Sequence, residues 1–269
     1  MLTKKIFSKS VLATTAALAF FSGSSAFAAT LKSTATQVVT LAVGNARTDN
    51  QSGMAYDPVS GLYHSGNAGS PIYNGFTWNG SGVLQSSGTQ GVDVRGIWYN
   101  SNTGSVEANS YNSGAPGQGL YTLNLDGSGN FVDSGTQIRS LPGSAGVQSV
   151  MDYDASRNVL YSRSLGNTVN VIDYATGALT SSIALAGMTG GTQSYTIGFM
   201  DTLDALVTYD QSSGMAQVFD MAGTELGSVS VGGISSSTNF GMTYENGLLF
   251  IFDTLENAWN GYDLSLIHI

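Results

Sequence analysis

The chain repeats itself at a fixed interval, and this constrains its fold more than any single motif. Five short segments end on a side chain suited to opening a turn: FTWN at Asn79, LNLD at Asp126, NVID at Asp173, QVFD at Asp220 and NGYD at Asp263. The intervals between these anchors are 47, 47, 47 and 43 residues. A second unit stands upstream of each anchor: GMAYDPVSGLYHSG (53–66), GIWYNSNTGSVEANS (96–110), VMDYDASRNVLYSRS (150–164), GFMDTLDALVTYD (198–210) and GMTYENGLLFIFD (241–253). Each holds a short apolar run, a polar turn and another apolar run. Asn, Asp and Gly supply the turn chemistry. Alternation of period two in LYTLNL and VNVID marks strands.

Each unit therefore encodes four short strands, here called a to d from inside outward. Strand a precedes the first turn and b follows it. Strand c carries the anchor and d follows the second turn. Four antiparallel strands at this period predict an all-β fold, a β-propeller of stacked four-stranded blades. The rival is a β-sandwich, which does not require whole four-strand units at equal spacing. About five blades are visible over 51–263. The N-terminal segment 29–50 contains STATQVVTLAVG (33–44), which resembles the d strands ALTSSIALAG and TELGSVSVGG. It offers a strand, Val38–Val43, that could close the ring. The fifth unit lacks its own strand d, so the expectation is a C-terminally truncated chain with one to three further blades.

One unit carries a family likeness. NVLYSRSLGNT followed by VNVIDYATGALTSSIALAG resembles the YVTN-type propeller repeat through Tyr161, Val169, Val171, Ile172, Asp173, Thr176, Ile183 and Gly187. Ser162 and Arg163 depart from its tetrapeptide. The likeness is partial in the unit ending at Val231 and weak elsewhere. It implies the fold and no particular activity, because propellers host unrelated functions.

The ends carry separate signals. Lys4, Lys5 and Lys9, the apolar run 11–21 and Ala26-Phe27-Ala28 form a signal peptide over 1–28, cut after Ala28. Export follows, to the periplasm, the cell surface or the medium of a bacterial cell, with no stable membrane insertion after cleavage. At the other end, LSLIHI (264–269) matches a translated sequencing-adapter end, so His268 carries no functional weight. Removing the leader leaves six basic against eighteen acidic residues, a net charge of −12. Such a surface repels phosphate backbones and excludes nucleic acid as a natural partner. With no cysteine, stability must come from burial and strand pairing.

No HExxH, cysteine cluster, GxSxG or phosphate loop is present, so no metal, cofactor or catalytic residue is assigned. His64 reads as a surface or loop residue. DGSGNFVD (126–133) lacks the full ligand set of a calcium loop and reads as a hairpin turn. Asp173, Asp220 and Asp263 read as turn caps rather than a carboxylate array. Trp78, Trp98 and Trp259 read as packing between blades. The predicted site is a funnel at the start of each strand a. It is lined by Gln51, Gln148, Tyr195 and Asn239 with Arg95 as its cation, and the long b–c loop 108–119 forms one rim. These side chains offer hydrogen bonds but no general base with an orienting partner. They suit a non-catalytic module that binds or scaffolds protein or glycan. The alternative is a hydrolase or lactonase-like enzyme whose site lies partly in missing blades.

Overall fold

The computed structural model of the chain describes residues 29–31, 33–44, 50–69, 74–111, 117–132, 135–143, 146, 148–163, 166–188, 195–235, 237–264 and 266–268. The segment 1–28, where a signal peptide is expected, residues 112–116 of the predicted rim and Asp133 lie outside them. None of the described residues is α-helical.

The protein is a five-bladed β-propeller. Strands β1 (Ala29–Leu31) and β2 (Thr36–Ala42) precede the first blade. That blade is β3 (Gln51–Asp57), β4 (Leu62–Asn67), β5 (Asn74–Asn79) and β6 (Leu84–Thr89). The second is β7 (Val94–Asn100), β8 (Ser105–Ser110), β9 (Gly119–Thr122) and β10 (Thr136–Ser140). The third is β11 (Asp152–Asp154), β12 (Val159–Arg163), β13 (Thr168–Asp173) and β14 (Leu179–Ala184). The fourth is β15 (Gly198–Met200), β16 (Ala205–Asp210), β17 (Met215–Asp220) and β18 (Glu225–Ser230). The fifth begins with β19 (Met242–Glu245), β20 (Leu248–Asp253) and β21 (Ala258–Asp263), and β22 (Leu266–His268) pairs with β1. Within each blade the strands lie in chain order and are antiparallel.

The fifth blade takes its outer strand from the other end of the chain. β2 pairs with β21 from Thr36↔Asp263 to Ala42↔Ala258. Gln37 Nε2 and Thr40 Oγ1 both donate to Asn260 Oδ1, at 3.0 Å each. The innermost strands touch in a cycle, β3 to β7, β11, β15, β19 and back to β3. Of the two ways the sequence left for completing the ring, the structure shows closure by the N-terminal strand. The fifth blade's outer place is filled by β2, and β19 already packs against β3.

Five hydrophobic clusters hold the blades together, one at each interface. Trp78 and Trp259 sit with Phe250 and Phe252 between the first and fifth blades. Trp98 packs with Met151 and Leu160 between the second and third. All three indoles are essentially inaccessible, as the packing reading requires. Trp78 Nε1 donates to the Ala42 carbonyl and Trp259 Nε1 to Ser65 Oγ, so both polar handles are satisfied.

A narrow five-fold axis forces the inner strands close together. A Cβ added at Gly53 would lie 2.6 Å from Ile97 N, and one at Gly96 would lie 2.2 Å from the Met151 oxygen. Only glycine permits that backbone approach. The outer edges are blunted in the opposite way. Every outermost strand carries a register shift: at Gln37/Val39 in β2, opposite Thr77/Trp78 in β6, at Gln137/Arg139 in β10, opposite Val171/Ile172 in β14 and opposite Val218/Phe219 in β18. A bulge twists an exposed edge away from edge-to-edge pairing.

Four of the anchors, Asn79, Asp126, Asp173 and Asp220, occupy equivalent places at the turn between strands c and d, whereas Asp263 ends β21 opposite Thr36 of β2. Asn79 Oδ1 accepts from the Ser81 and Val83 amides. Asp126 Oδ1 accepts from Ser128 and Asn130, Asp173 Oδ1 from Thr176, and Asp220 Oδ1 from Ala222 and Thr224. The hairpin-turn reading of DGSG holds, and Asp173 and Asp220 cap turns as their spacing implied.

Candidate functional site

The innermost strands present two ends to the axis. At their starts the structure gathers part of the predicted funnel. The Arg95 guanidinium pairs with Asp93, donates to the Val94 carbonyl at 3.0 Å and lies between the Tyr111 and Phe240 side chains, at 5.0 and 5.1 Å. Tyr195 stacks on Phe240 with centroids 5.3 Å apart, and its amide donates to the Asn239 carbonyl at 3.0 Å. Arg95, Tyr195 and Asn239 therefore meet in one aromatic-and-cation group. Gln148 is half-buried close to Ser149, whose hydroxyl donates to the Tyr195 carbonyl. Gln51 does not join them. It is fully buried inside the first blade, where its Oε1 accepts from Ser65 Oγ.

His64 is corrected: it is fully buried rather than on the surface. Its Nδ1 shares a hydrogen bond with Thr77 Oγ1 at 3.3 Å and its edge meets Phe131. Burial pushes its pKa down to about 4, so it stays neutral.

At the opposite ends of the same strands lies an axial cavity of about 610 Å³, lined by residues of all five blades. Its wall is a repeated aromatic position. Counting back from each a–b turn by strand pairing, the second residue is Tyr56, Tyr99, Tyr153, Phe199 or Tyr244, and all five line the cavity.

Two carboxyls enter this wall for different local reasons. Asp152 stands one pair further in, where the other blades have Ala55, Trp98, Gly198 and Thr243. It is 5% exposed, and its oxygens accept from the Tyr153 amide at 2.8 Å and the Phe199 amide at 2.7 Å. It therefore ties the third blade to the fourth. Glu245 ends its strand where Asp57, Asn100 and Asp154 end theirs. Those three cap four-residue turns, accepting from Val59, Asn102 and Ser156. The fifth blade turns in two residues, Asn246 and Gly247, with φ of 51° and 76°. That hairpin needs no cap, so the Glu245 carboxyl is left for the axis. It accepts one long hydrogen bond, 3.4 Å from the Tyr56 amide.

Burial, then repulsion from Asp201 and Asp154, pushes Asp152 up to about 7 despite its two amide donors. Burial, then repulsion from Asp152, drives Glu245 well above the carboxylate range. The two titrate as a coupled pair, each disfavouring ionisation of the other. Arg157 is the described cation lining the cavity, and it is already engaged with Asp154 at 2.7 Å and Asp204 at 2.6 Å. Trp98 lines the same cavity, is 1% exposed, and has an indole Nε1 with no partner. Among the described residues, no cluster of three or more His, Cys, Asp or Glu side chains is arranged to hold a metal ion.

This carboxyl end escaped the sequence reading, which placed the site at the strand starts. A signal did exist: VMDYD puts an acid in the middle of an innermost strand, where a charge is seldom buried without purpose.

No family model and no curated protein sequence matches the chain. Solved structures do. Myxococcus xanthus glutaminyl cyclase is 13% identical, with a TM-score of 0.60, covering 85% of this chain and 95% of that one. A protein of unknown function from Bacteroides thetaiotaomicron is 12% identical, with a TM-score of 0.50, covering 84% of this chain. This chain spans 63% of that protein's length. At such identities the likeness establishes the fold and no more.

Proposed function

We propose that this chain is an exported, non-catalytic propeller that captures a small ligand, or the terminal unit of a glycan or peptide, in the axial cavity at the a–b turns. The observation that carries this reading is the convergence of all five innermost strands on one cavity lined by aromatic and carboxyl side chains. Concave axial sites with a few placed polar groups are the usual ligand sites of such folds. Both Asp152 oxygens are committed to backbone amides, which suits a fixed wall better than a proton shuttle. The aromatic-and-cation group at Arg95 serves as the packed opposite end of the axis. Export rests on the leader expected at 1–28.

A second reading is favoured by Asp152 and Glu245, two buried carboxyls whose pKa values burial and mutual repulsion raise. One carboxyl of such a pair can donate a proton while the other accepts one. The glutaminyl cyclase with the same fold is an enzyme, so the architecture accommodates catalysis. The purified mature protein should be screened against glycan and peptide arrays, and in parallel against ester, lactone and glycoside substrates. Binding without turnover supports capture. Turnover that disappears in Glu245→Gln establishes the enzyme instead. Intact-mass analysis of the exported protein should show loss of 1–28.

A further inference from the structure

The two-residue turn after Glu245 carries chemistry of its own. We infer that Asn246 is a self-modification site: its side chain closes on the Gly247 amide, loses ammonia with Tyr63 as the proton donor, and ends as an aspartyl or isoaspartyl carboxylate in the cavity wall. The modification does not depend on what the cavity binds.

The sequence holds four Asn-Gly pairs, beginning at Asn74, Asn79, Asn246 and Asn260. In such a pair the Asn Cγ and the next backbone nitrogen are one bond short of a five-membered ring, and glycine puts no side chain in the way. Burial and hydrogen bonding decide which pair can close it. Gly75 and Gly261 are buried in strands, where an added Cβ would lie 2.3 Å from Phe131 and 2.6 Å from Val39. Asn260 is also tied through its side chain to Gln37, Thr40 and Glu256. Asn79 Oδ1 is held by the Ser81 amide, the Ser81 hydroxyl and the Val83 amide. Asn246 and Gly247 are both exposed, and nothing lies within 4 Å of a Cβ built on Gly247. Glu245 and Leu248 are the last paired residues of this hairpin, so the Gly247 amide stands outside the ladder.

Tyr63 sets this turn apart from an ordinary exposed one. Asn246 Nδ2, the nitrogen that must leave, donates to Tyr63 Oη at 2.8 Å. That distance suits proton transfer. The phenol is 3% exposed and is held by the rings of Tyr56 and Phe250, with centroids 4.8 and 5.3 Å away. Burial raises its pKa, so it keeps its proton. The Gly247 nitrogen attacks Asn246 Cγ and gives up its own proton to water. The Cγ–Nδ2 bond of the tetrahedral carbon then breaks. The departing nitrogen, now an amine, takes the phenol's proton and leaves as ammonia, and the phenol recovers a proton from water. Water next adds to one of the two imide carbonyls and opens the ring to aspartate or isoaspartate. Nothing is oxidised or reduced.

The product alters the cavity, because Glu245, Asn246 and Gly247 all line it. A second carboxylate then stands beside Glu245 in the chain, and Tyr63 loses its amide donor. Isoaspartate also adds a backbone carbon to a turn whose φ angles of 51° and 76° match the twist of the flanking strands.

Peptide mapping by mass spectrometry of the mature protein, aged in warm neutral buffer, tests this. The amide-to-acid mass gain is read at each pair, and an isoaspartyl methyltransferase labels the isomerised product. In the folded protein Asn246 should convert about tenfold or more faster than Asn74, Asn79 or Asn260, since those react only through openings that cost more than ~1.4 kcal/mol. In urea the four pairs should convert at similar rates. Tyr63→Phe should slow Asn246 about tenfold or more relative to Asn79 in the same sample. Should Tyr63→Phe fail to fold, the comparison of folded protein with urea still decides. No preference for Asn246 in the folded protein would overturn the inference. So would a preference that persists in urea, or an equal or faster rate in folded Tyr63→Phe.

Discussion

Gly96→Ala should unfasten the second and third blades from each other. The added Cβ would lie 2.2 Å from the Met151 oxygen, 2.6 Å from Met151 N and 2.7 Å from Asn109 Oδ1. All are far inside contact distance, so β7 and β11 must part by roughly 1 Å. Asn109 is the stitch between them. Its Oδ1 accepts from the Gly96 amide at 2.8 Å and the Met151 amide at 3.3 Å, and its Nδ2 donates to the Ser149 carbonyl at 2.9 Å. Weakening one or two such buried bonds costs about 1–3 kcal/mol each, and overpacking adds roughly 1–3 kcal/mol. We expect a loss of about 3–5 kcal/mol, a large share of the ~5–15 kcal/mol typical of a folded domain. For a chain of this size the melting temperature should fall by roughly 10 °C. Urea unfolding followed by tryptophan fluorescence is the assay, because Trp98 packs at this same interface. Gly127→Ala is the control: nothing lies within 4 Å of its added Cβ, so it should stay within about 0.5 kcal/mol of wild type. Equal stability of Gly96→Ala and wild type would refute the claim that the axis is built on backbone contact.

Other outcomes follow from burial and charge. Asp152 has a folded pKa raised to about 7 from 3.8, so it contributes stability below pH ~4 that is lost as pH rises towards 7. Melting curves across that range should show the advantage of wild type over Asp152→Asn shrinking as pH rises; a constant difference would contradict the buried-pair reading. His64 runs the other way. Its folded pKa, lowered to about 4 from 6.5, means stability is lost as pH falls through that window, and His64→Gln should flatten the loss while keeping a partner for Thr77. Trp259→Ala should cost about 3–5 kcal/mol, since it empties the interface where the ring closes; a loss under ~1 kcal/mol in chemical denaturation would argue against that closure.

The architecture was legible because each blade repeats the same local chemistry. The anchors at Asn79, Asp126, Asp173 and Asp220 cap turns whose backbone demands an acceptor at that place, so their spacing reports blade spacing. The number of blades was harder to read. A strand pairs through its backbone, and β2 gives no sequence sign of choosing β21 over an unseen partner. Its likeness to the other outer strands pointed to the role, and the register of pairing decides it. His64 was misread because a lone histidine in a strand gives no sign of which face the neighbouring blade covers. The site was half legible. The repeated aromatic position of the innermost strands is present in the sequence, yet nothing within one strand shows that it walls the axis. Asp152 and Glu245 come together only because strands from different blades converge on the axis. Glu245 also depends on a two-residue turn replacing four, a local change whose consequence appears only in three dimensions.

The account rests on the axial cavity at the a–b turns being the ligand site, and the three indole N–H signals of the nitrogen-15-labelled protein test it most directly. Trp78 and Trp259 are bonded to Ala42 and Ser65 between blades, whereas the Trp98 indole is unpaired beside the cavity. Titration with any ligand recovered from the arrays should move the Trp98 signal and leave the other two in place. A ligand that binds by calorimetry while the Trp98 signal stays fixed, or that shifts Trp78 or Trp259 instead, would contradict the account.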